Sequence, residues 1–301
     1  VFANDKAKKR YLYHDSNLQV LPYSFFSFIR SPYLMIFAKA LFKDLKAEIV
    51  LEDETIAEFV DRHFGFEMRS LFFDSVVSGI WAGDVSKMSV SATLPLLKKL
   101  EARKGSIFKS LLSYKAAPYN AKVYPKEVSS KALFSFKKGL QALTDKLKDR
   151  FSDSIVYHAQ IASIDFDART IVSANKTSYT YDKLISTIPA FKLSAYVSLS
   201  LAGVLNSINY SPVAVLNMQL LKDQLSFDGF GFLVPSKENS VVLGMVANSN
   251  TFPEHGSNTH CVNTVMMGGA RFTFDQLKQM DLEEKAKVFL TKVFGKEFLI
   301  E

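Results

Sequence analysis

The sequence predicts a mixed fold, part α/β and part α+β. Its 301 residues are 48% hydrophobic, which is enough to bury a sizeable core. Helical periodicity dominates from about residue 22 to residue 114, whereas strand-like runs with one clear helix dominate after residue 131. The polar stretch 116–130, which contains Pro118 and Pro125, predicts a loop that separates the two regions.

The first elements are a hairpin and an amphipathic helix. Turn-forming residues at 15–17 lie between Tyr- and Leu-rich flanks and predict a hairpin over residues 8–21. Between Pro32 and Ala47, apolar residues recur at helical spacing while Lys39 and Lys43 fall largely on other faces. Two interpretations of this helix remain open, since it could cover a core or lie at a membrane interface.

Capping and breaking signals place the next helices. Thr55 and Glu58 have the spacing of a capping box, which predicts a helix that runs through Phe64 and stops at Gly65. Further helical patterns end at Val77, cover residues 91–103 and resume after Gly105 over residues 107–112.

The second region reads mainly as strands. A strand end at 133–136 precedes a helix that begins at Gly139. The segment 181–190 reads as a buried type of strand that ends in small residues and Pro189. Small residues and a proline at the end of a strand let the backbone approach a bulky ligand, although an ordinary strand can also end this way. Four later runs predict strands at 213–221, 231–234, 240–246 and 262–267.

Composition narrows the function classes. The net charge of +7 suits nucleic acid, an anionic lipid surface or an acidic small molecule, and does not choose among them. The single cysteine, Cys261, excludes an internal disulfide, and the scattered histidines give no metal-ligand signature. The sequence contains no uncharged apolar run of about 18 residues, so no ordinary membrane-spanning helix is predicted.

Several motifs occur in an order that resembles a known family. They are KRYLY at 9–13, DSVVSGIWAGD at 74–84, DGFGFLVP at 228–235 and TVMMGGA at 264–270. Together they resemble the protoporphyrinogen oxidase family of the flavin-containing amine oxidase superfamily. The resemblance implies an FAD cofactor and oxidation of protoporphyrinogen IX to protoporphyrin IX by oxygen in haem biosynthesis. It implies a tetrapyrrole substrate and no role in nucleic acid binding.

The resemblance also implies an architecture. The chain would be an interior fragment of a two-dinucleotide-binding-type FAD fold, because its sequence has no G-x-G-x-x-G element. The expected parts are a substrate-domain hairpin (1–20), a helical membrane-binding domain (21–115), a loop (116–130), part of the FAD-binding domain (131–190) and a mixed-sheet substrate-binding domain (191–301).

Site residues carry over by their places in the motifs. Arg10 would pair with a substrate propionate, and the backbone oxygen of Gly79, the expected catalytic position, would approach the pyrrole N–H groups. Phe230 would lie along a pyrrole ring. Gly231 would permit close approach, and Leu233 and Met266 would form an apolar wall. Each has a structural alternative: a solvated surface arginine, a glycine at a helix end, and core residues on strands.

Cofactor contacts, partners and location are also expectations from the resemblance. Gly139, Thr187, Ile188 and Pro189 would belong to the flavin-binding edge, and no metal is expected. The partners would be a membrane surface, with Phe25, Phe26 and Phe28 at the acyl boundary, and a second copy in a homodimer. The expected location is peripheral to the mitochondrial inner membrane, or to the bacterial cytoplasmic membrane.

Two rival functions stay open from the sequence. One is another enzyme of the flavin amine-oxidase type, which would not need an arginine for propionates. The other is a non-catalytic protein that binds tetrapyrroles or membranes and lacks the flavin module.

Overall fold

The computed structural model describes residues 1–114, 133–222, 225 and 227–295. The chain divides into two units, Val1–Gly139 with Ser211–Glu301, and Leu140–Tyr210. The predicted loop at 116–130 lies outside the described residues.

Helices dominate the part of the first unit that precedes residue 115. They are α1 Phe25–Ile29, α2 Leu34–Asp44, α3 Ile56–His63, α4 Phe66–Met68, a π-helical turn Arg69–Phe73, α5 Asp74–Trp81, α6 Val90–Thr93, α7 Pro95–Lys104 and α8 Ile107–Leu112. The later helices are α9 Gln141–Arg150, α10 Ala190–Leu193, α11 Leu199–Asn206, α12 Asn248–Thr251, α13 Phe274–Lys278 and α14 Leu282–Phe294. Among the described residues, no helix has both the length and the hydropathy needed to cross a bilayer.

The predicted capping box is confirmed, because Thr55 and Glu58 exchange side-chain to backbone hydrogen bonds at the start of α3. The helix predicted over residues 91–103 is interrupted at Leu94, which separates α6 from α7.

Strands form two sheets in the described residues. They are β1 Arg10–His14, β2 Asn17–Val20, β3 Ile161–Asp165, β4 Thr170–Ser173, β5 Ser178–Thr180, β6 Val213–Leu221, β7 Gly231–Leu233, β8 Val242–Val246 and β9 His260–Gly268. The larger sheet has the order β2-β1-β7-β8-β9-β6, in which β1 and β7 are parallel and the other pairs are antiparallel.

The predicted hairpin and the four late strands are confirmed. Strands β1 and β2 pair across Asp15 and Ser16, whose positive φ values of 50° and 62° match the twist of a two-residue hairpin turn. The late strands begin or end within two residues of the predicted limits.

The second unit corrects the prediction for the segment before Pro189. Strands β3, β4 and β5 form a small antiparallel sheet there, but residues 185–188 are not a strand. Ile185 is 86% exposed. A strand exists only where a neighbour completes its hydrogen bonds, and no described strand lies beside this segment. The helix predicted from Gly139 begins instead at Gln141.

The larger sheet packs on both faces. On one face, Tyr13, Phe232 and Met267 lie in a core that also contains Leu290 of α14. On the other face, Leu12 and the half-buried Leu233 pack with residues of the helical region. The alternation of side chains along each strand produces these two faces, so residues two apart in β1 or β7 share a face.

A buried carboxylate joins three helices of the helical region. Asp44 is fully buried and pairs with His63 Nδ1 at 2.6 Å. It also accepts hydrogen bonds from Ser106 Oγ at 2.5 Å and from the N–H groups of Ile107 and Phe108 at 3.0 and 2.9 Å. Burial by itself would raise the pKa of Asp44, but the hydrogen bonds from His63, Ser106 and the two N–H groups outweigh burial and lower it.

A second buried carboxylate extends this network. Glu101 accepts from Lys98 at 2.8 Å, from Arg62 at 2.7 Å and from the Val50 N–H at 3.1 Å. Burial opposes its ionisation, yet these donors hold the pKa of Glu101 below its usual value. The helical region is therefore held by charge as well as by apolar packing.

Replacing Asp44 tests this network. We expect Asp44→Asn to lower the free energy of unfolding by about 3 to 5 kcal/mol, because an amide NH2 would face donors and His63 would lose its partner. Urea unfolding at neutral pH measures the loss. In the matched control, Asp61→Asn weakens a half-exposed pair with Arg69 and should cost about 1 kcal/mol or less. Equal losses in the two variants would contradict a special role for Asp44.

The network also predicts a dependence on pH. Because the folded pKa of Asp44 is lowered, its stabilisation is complete above the unfolded value and is lost as pH falls through the folded value. The difference in stability between the native protein and Asp44→Asn should therefore shrink below about pH 4. A constant difference from pH 7 to pH 3 would show that ionised Asp44 does not supply it.

Candidate functional site

Three separate sequence motifs meet at helix α5. Asp74, at its start, accepts hydrogen bonds from the backbone N–H and the hydroxyl of Ser236 at 2.6 and 2.9 Å. Ala82, at its end, accepts at its backbone oxygen from the Ala270 N–H at 2.8 Å. Hydrogen bonds thus connect the two ends of this short helix to Ser236 and Ala270, which are distant in sequence.

A half-buried arginine reinforces this junction. Arg271 donates to the carbonyl oxygens of Ser236 and Ser240, each at 3.0 Å. Burial lowers the pKa of Arg271, while the nearby carboxylates of Asp74 and Asp84 act in the opposite direction. Sequence reasoning missed Arg271, because its partners are backbone oxygens that leave no pattern in the chain.

Gly79 brings α5 against the sheet. A Cβ atom at this position would lie 2.3 Å from Leu233 Cδ2 and 3.7 Å from Leu243 O. The helix ends beyond it, at Ala82 with φ +52°, so the alternative that Gly79 terminates the helix is wrong. Its carbonyl is among the last four of α5, which an α-helix leaves without intrahelical donors. A π-helical turn precedes α5, a feature often found near functional sites.

Arg10 and Phe230 form the polar end of the candidate site. The Arg10 guanidinium carbon lies 5.3 Å from the centre of the Phe230 ring, within cation–π distance. Arg10 is exposed and has no carboxylate partner among the described residues. Its positive charge therefore faces outward, available to an anion.

The segment that carries Phe230 is held from both sides. Asp228 pairs with Lys9 Nζ at 2.5 Å, and its hydrogen bond and charge raise the pKa of Lys9. Asn250 Nδ2 donates to the carbonyl oxygens of Phe227 and Gly229 at 2.7 and 3.2 Å. A Cβ at Gly229 would lie 2.9 Å from Lys9 O, so the glycine is required there. No sequence pattern points to Asn250, because it binds the backbone of a distant segment.

Strand register places the other predicted residues on the same sheet. Arg10 pairs with Gly231, and a side chain at Gly231 would collide with Met245 O at 2.0 Å. In the adjoining row, Leu233 pairs with Gly244 and Gly244 with Met266. Leu233 and Met266 are both half-buried. The structure thus brings together all six residues predicted for the substrate: Arg10, Gly79, Phe230, Gly231, Leu233 and Met266.

The four predicted cofactor residues fall in both units. Gly139 has φ +77°, and nothing lies within 4 Å of where its Cβ would be. Thr187, Ile188 and Pro189 lie in exposed coil of the second unit. Gly139 has open space beside its Cα, and residues 187–189 are exposed, so a flavin could contact both places. Neither Gly139 nor residues 187–189 form a pyrophosphate-binding loop.

Among the described residues, one group has metal-ligand types in proximity. His14, Asp15 and Glu238 offer ligand atoms within 4.8 Å of one another. Lys237 Nζ lies 3.3 Å from His14 Nε2, however, and its positive charge disfavours a cation.

Comparison with known proteins identifies the wider relationship. The model of the flavin containing amine oxidoreductase family matches residues 4–298. Protoporphyrinogen oxidase from Bos taurus is 33% identical over 88% of this chain and 58% of its own length. The Dictyostelium discoideum protoporphyrinogen oxidase is 33% identical over 68% of this chain and 45% of its own length. The mitochondrial protoporphyrinogen oxidase from Nicotiana tabacum is 28% identical over 87% of this chain and 60% of its own length.

Solved structures share the fold. A structure from an Exiguobacterium species superposes with a TM-score of 0.76 at 18% identity, covering 100% of this chain and 67% of that one. Reduced UDP-galactopyranose mutase superposes with a TM-score of 0.62 at 15% identity, covering 98% of this chain and 64% of that one. The chain spans about half the length of the curated relatives, 45% to 58% for the first two.

The contact between Gly79 and Leu233 yields a double-mutant test. Gly79→Ala should destabilise the protein by about 1 to 2 kcal/mol, because overpacking outweighs the gain in helix propensity. Leu233→Ala vacates the space, so the double variant should be more stable than the sum of the single changes by at least about 1 kcal/mol. Urea unfolding of the four proteins measures this coupling, and additivity within about 0.5 kcal/mol would contradict it.

Proposed function

The chain belongs to the flavin-containing amine oxidoreductase family, and we propose that it forms the substrate side of a protoporphyrinogen oxidase. The enzyme would oxidise protoporphyrinogen IX to protoporphyrin IX with oxygen, in haem biosynthesis. The observation that carries the proposal is an unpaired arginine stacked on an aromatic ring beside an apolar wall, all on one sheet. The Bos taurus and Dictyostelium relatives support the same activity.

FAD is the cofactor of this chemistry. When bound, it supplies the acceptor for the hydride that leaves a methylene bridge of the substrate, while a pyrrole N–H loses a proton and oxygen finally takes the electron pair with two protons as hydrogen peroxide. Gly139 and residues 187–189 are the positions of this chain that would contact it.

Arg10 and Phe230 would bind and orient the substrate. A guanidinium forms paired hydrogen bonds with a carboxylate, so Arg10 would hold a propionate group. Phe230 limits the positions of that guanidinium from one side and offers its ring to a pyrrole. The hydrogen bonds from Asn250 to Phe227 and Gly229 keep Phe230 in place.

Leu233, Met266 and Gly79 would serve the reacting part of the macrocycle. Leu233 and Met266 line an apolar surface that excludes water from the methylene bridge. The Gly79 carbonyl, free of an intrahelical donor, would accept a hydrogen bond from a pyrrole N–H. No nucleophilic side chain is needed for this reaction.

The helical region would contact a membrane surface. Phe26 is 74% exposed, Met35 66% and Phe42 67%. Phe28, by contrast, is half-buried and packs on Phe37 at 5.3 Å between ring centres. Helix α2 packs Ala40 and Asp44 inward, which confirms that one face covers a core. Apolar residues remain exposed on the other face, and this exposure supports the proposed membrane contact. Of the three phenylalanines predicted at the acyl boundary, Phe26 supports the expectation; the side chain of Phe25 is not described.

The proposed location follows from this surface and from a relative. Lys43 and Lys46 are exposed on α2 or just beyond its end, which suits an anionic leaflet. The Nicotiana relative is mitochondrial by name. Peripheral association with the mitochondrial inner membrane would place the helical region against the lipid headgroups.

Substitution of Arg10 tests substrate recognition. In the flavin-loaded full-length protein, Arg10→Ala should raise the KM for protoporphyrinogen by about tenfold to a hundredfold, because a charge-assisted hydrogen bond pair is lost. Appearance of protoporphyrin fluorescence measures the rate. Arg103→Ala, which removes another exposed arginine that lies over an aromatic ring, should leave KM unchanged. An unchanged KM in Arg10→Ala would refute the propionate role.

Substitution of Phe26 and Phe42 tests the membrane surface. The double change Phe26→Ser and Phe42→Ser should weaken binding to phosphatidylserine-containing vesicles at least about tenfold, because two aromatic side chains no longer enter the interface. Vesicle sedimentation measures binding. Phe274→Ser removes a comparably exposed phenylalanine from α13 and should have little effect. Equal binding by the native protein and the double variant would exclude this face.

A further inference from the structure

We propose that Thr264 and Asn217 form an additional polar contact for the tetrapyrrole, one that accepts hydrogen bonds from its pyrrole N–H groups. The proposal deepens the proposed function and rests on it. Thr264 begins the TVMMGGA motif, but no ligand role was predicted for it, and Asn217 stands in none of the motifs. The register of the sheet places both residues.

Register puts the pair in the same row as Arg10. Arg10 pairs with Gly231, Gly231 with Val246, Val246 with Thr264, and Thr264 with Asn217. Cross-strand partners project to the same face of a sheet, so this row crosses five strands on one face. Adjacent strands lie about 4.8 Å apart, which puts Thr264 roughly 14 Å from Arg10 along the row.

The adjoining row confirms which face this is. Leu233, Gly244, Met266 and Val215 are paired in the same order across four of the strands. Residues two apart in a strand share a face, so Thr264 and Met266 project together, and Asn217 projects beside Val215. Their chain neighbours Val265 and Met218 lie in the core on the opposite side. The pair therefore belongs to the surface that carries Leu233 and Met266.

The pair has unused hydrogen-bonding capacity. Thr264 Oγ1 donates to Asn217 Oδ1 at 2.8 Å. A hydroxyl oxygen and an amide oxygen each have further lone pairs, and among the described residues nothing else donates to them. Thr264 is half-buried and Asn217 exposed, and around them lie apolar side chains such as Val215, Val246 and Met266. Two polar groups on an apolar surface specify the orientation of whatever covers it.

The pyrrole N–H groups of the substrate match the hydrogen-bond acceptors of Thr264 and Asn217. In a reduced tetrapyrrole every ring nitrogen carries a hydrogen and can only donate, whereas in the fully oxidised macrocycle some ring nitrogens have become acceptors. Acceptors such as Thr264 Oγ1 and Asn217 Oδ1 therefore favour the substrate over the product. With Arg10 holding a propionate at one end of the row, this contact would fix the rotation of the macrocycle on the sheet.

Thr264→Val tests the contact with little change in shape. In the flavin-loaded full-length protein, KM for protoporphyrinogen should rise about fivefold to tenfold, with kcat changed less. The Kd for protoporphyrin, followed by quenching of its fluorescence, should change less than twofold. Thr264→Ser keeps the hydroxyl and should restore the native KM. Asn217→Ala, at an exposed position, provides a second variant with an expected rise in KM of the same size.

A control variant and the possible outcomes distinguish failure of the Thr264–Asn217 contact from failure of the proposed function. Gln219→Leu removes a polar side chain from the same face of β6 one row away and should leave KM unchanged. A native KM in both Thr264→Val and Asn217→Ala would overturn the inference alone, and so would equal losses of substrate and product affinity. Failure of the native protein to oxidise protoporphyrinogen would overturn the proposed function, and the inference with it.

Discussion

The close approach of helix α5 to the sheet is the constraint on which the rest of the site depends. It requires Gly79, because any larger residue would occupy the space that Leu233 fills. Asp74 and Ala82 bind the two ends of the helix to segments that follow β7 and β9. A side chain at position 79 would displace the Leu233 side chain, because the nearest backbone atom of the sheet, Leu243 O, lies 3.7 Å away, and the apolar wall that Leu233 forms would be disturbed.

The two sides of this contact are stabilised by different physics. The sheet is stabilised by apolar packing against α14, whereas the helical region buries carboxylates that are fully paired with donors. Removing one partner of Asp44 or Glu101 is costly, because a buried charge or its donors would be left unpaired. Such a rigid support suits the proposed roles of this region, in which Gly79 would present its carbonyl to the substrate and the exposed Phe26 and Phe42 would face a membrane.

Local patterns were readable from the sequence, and long-range pairing was not. The turn at Asp15 and the capping box at Thr55 depend on neighbouring residues, so their signals lie within a few positions. The predicted strand before Pro189 failed because a strand depends on partners elsewhere in space. Resemblance predicted Arg10, Phe230 and Met266 as site residues. Asn250 and Arg271 bind backbone oxygens, and sheet register places Thr264 beside Asn217; a single sequence displays neither kind of contact.

We propose that the face of the sheet with Leu233 and Met266 forms the wall on which a tetrapyrrole lies. A crystal structure of the flavin-loaded full-length protein with bound protoporphyrin tests it most directly. The macrocycle should lie over Leu233 and Met266, with a propionate at the Arg10 guanidinium. A macrocycle bound elsewhere, for example in the apolar groove between Phe72 and Leu97, would contradict it.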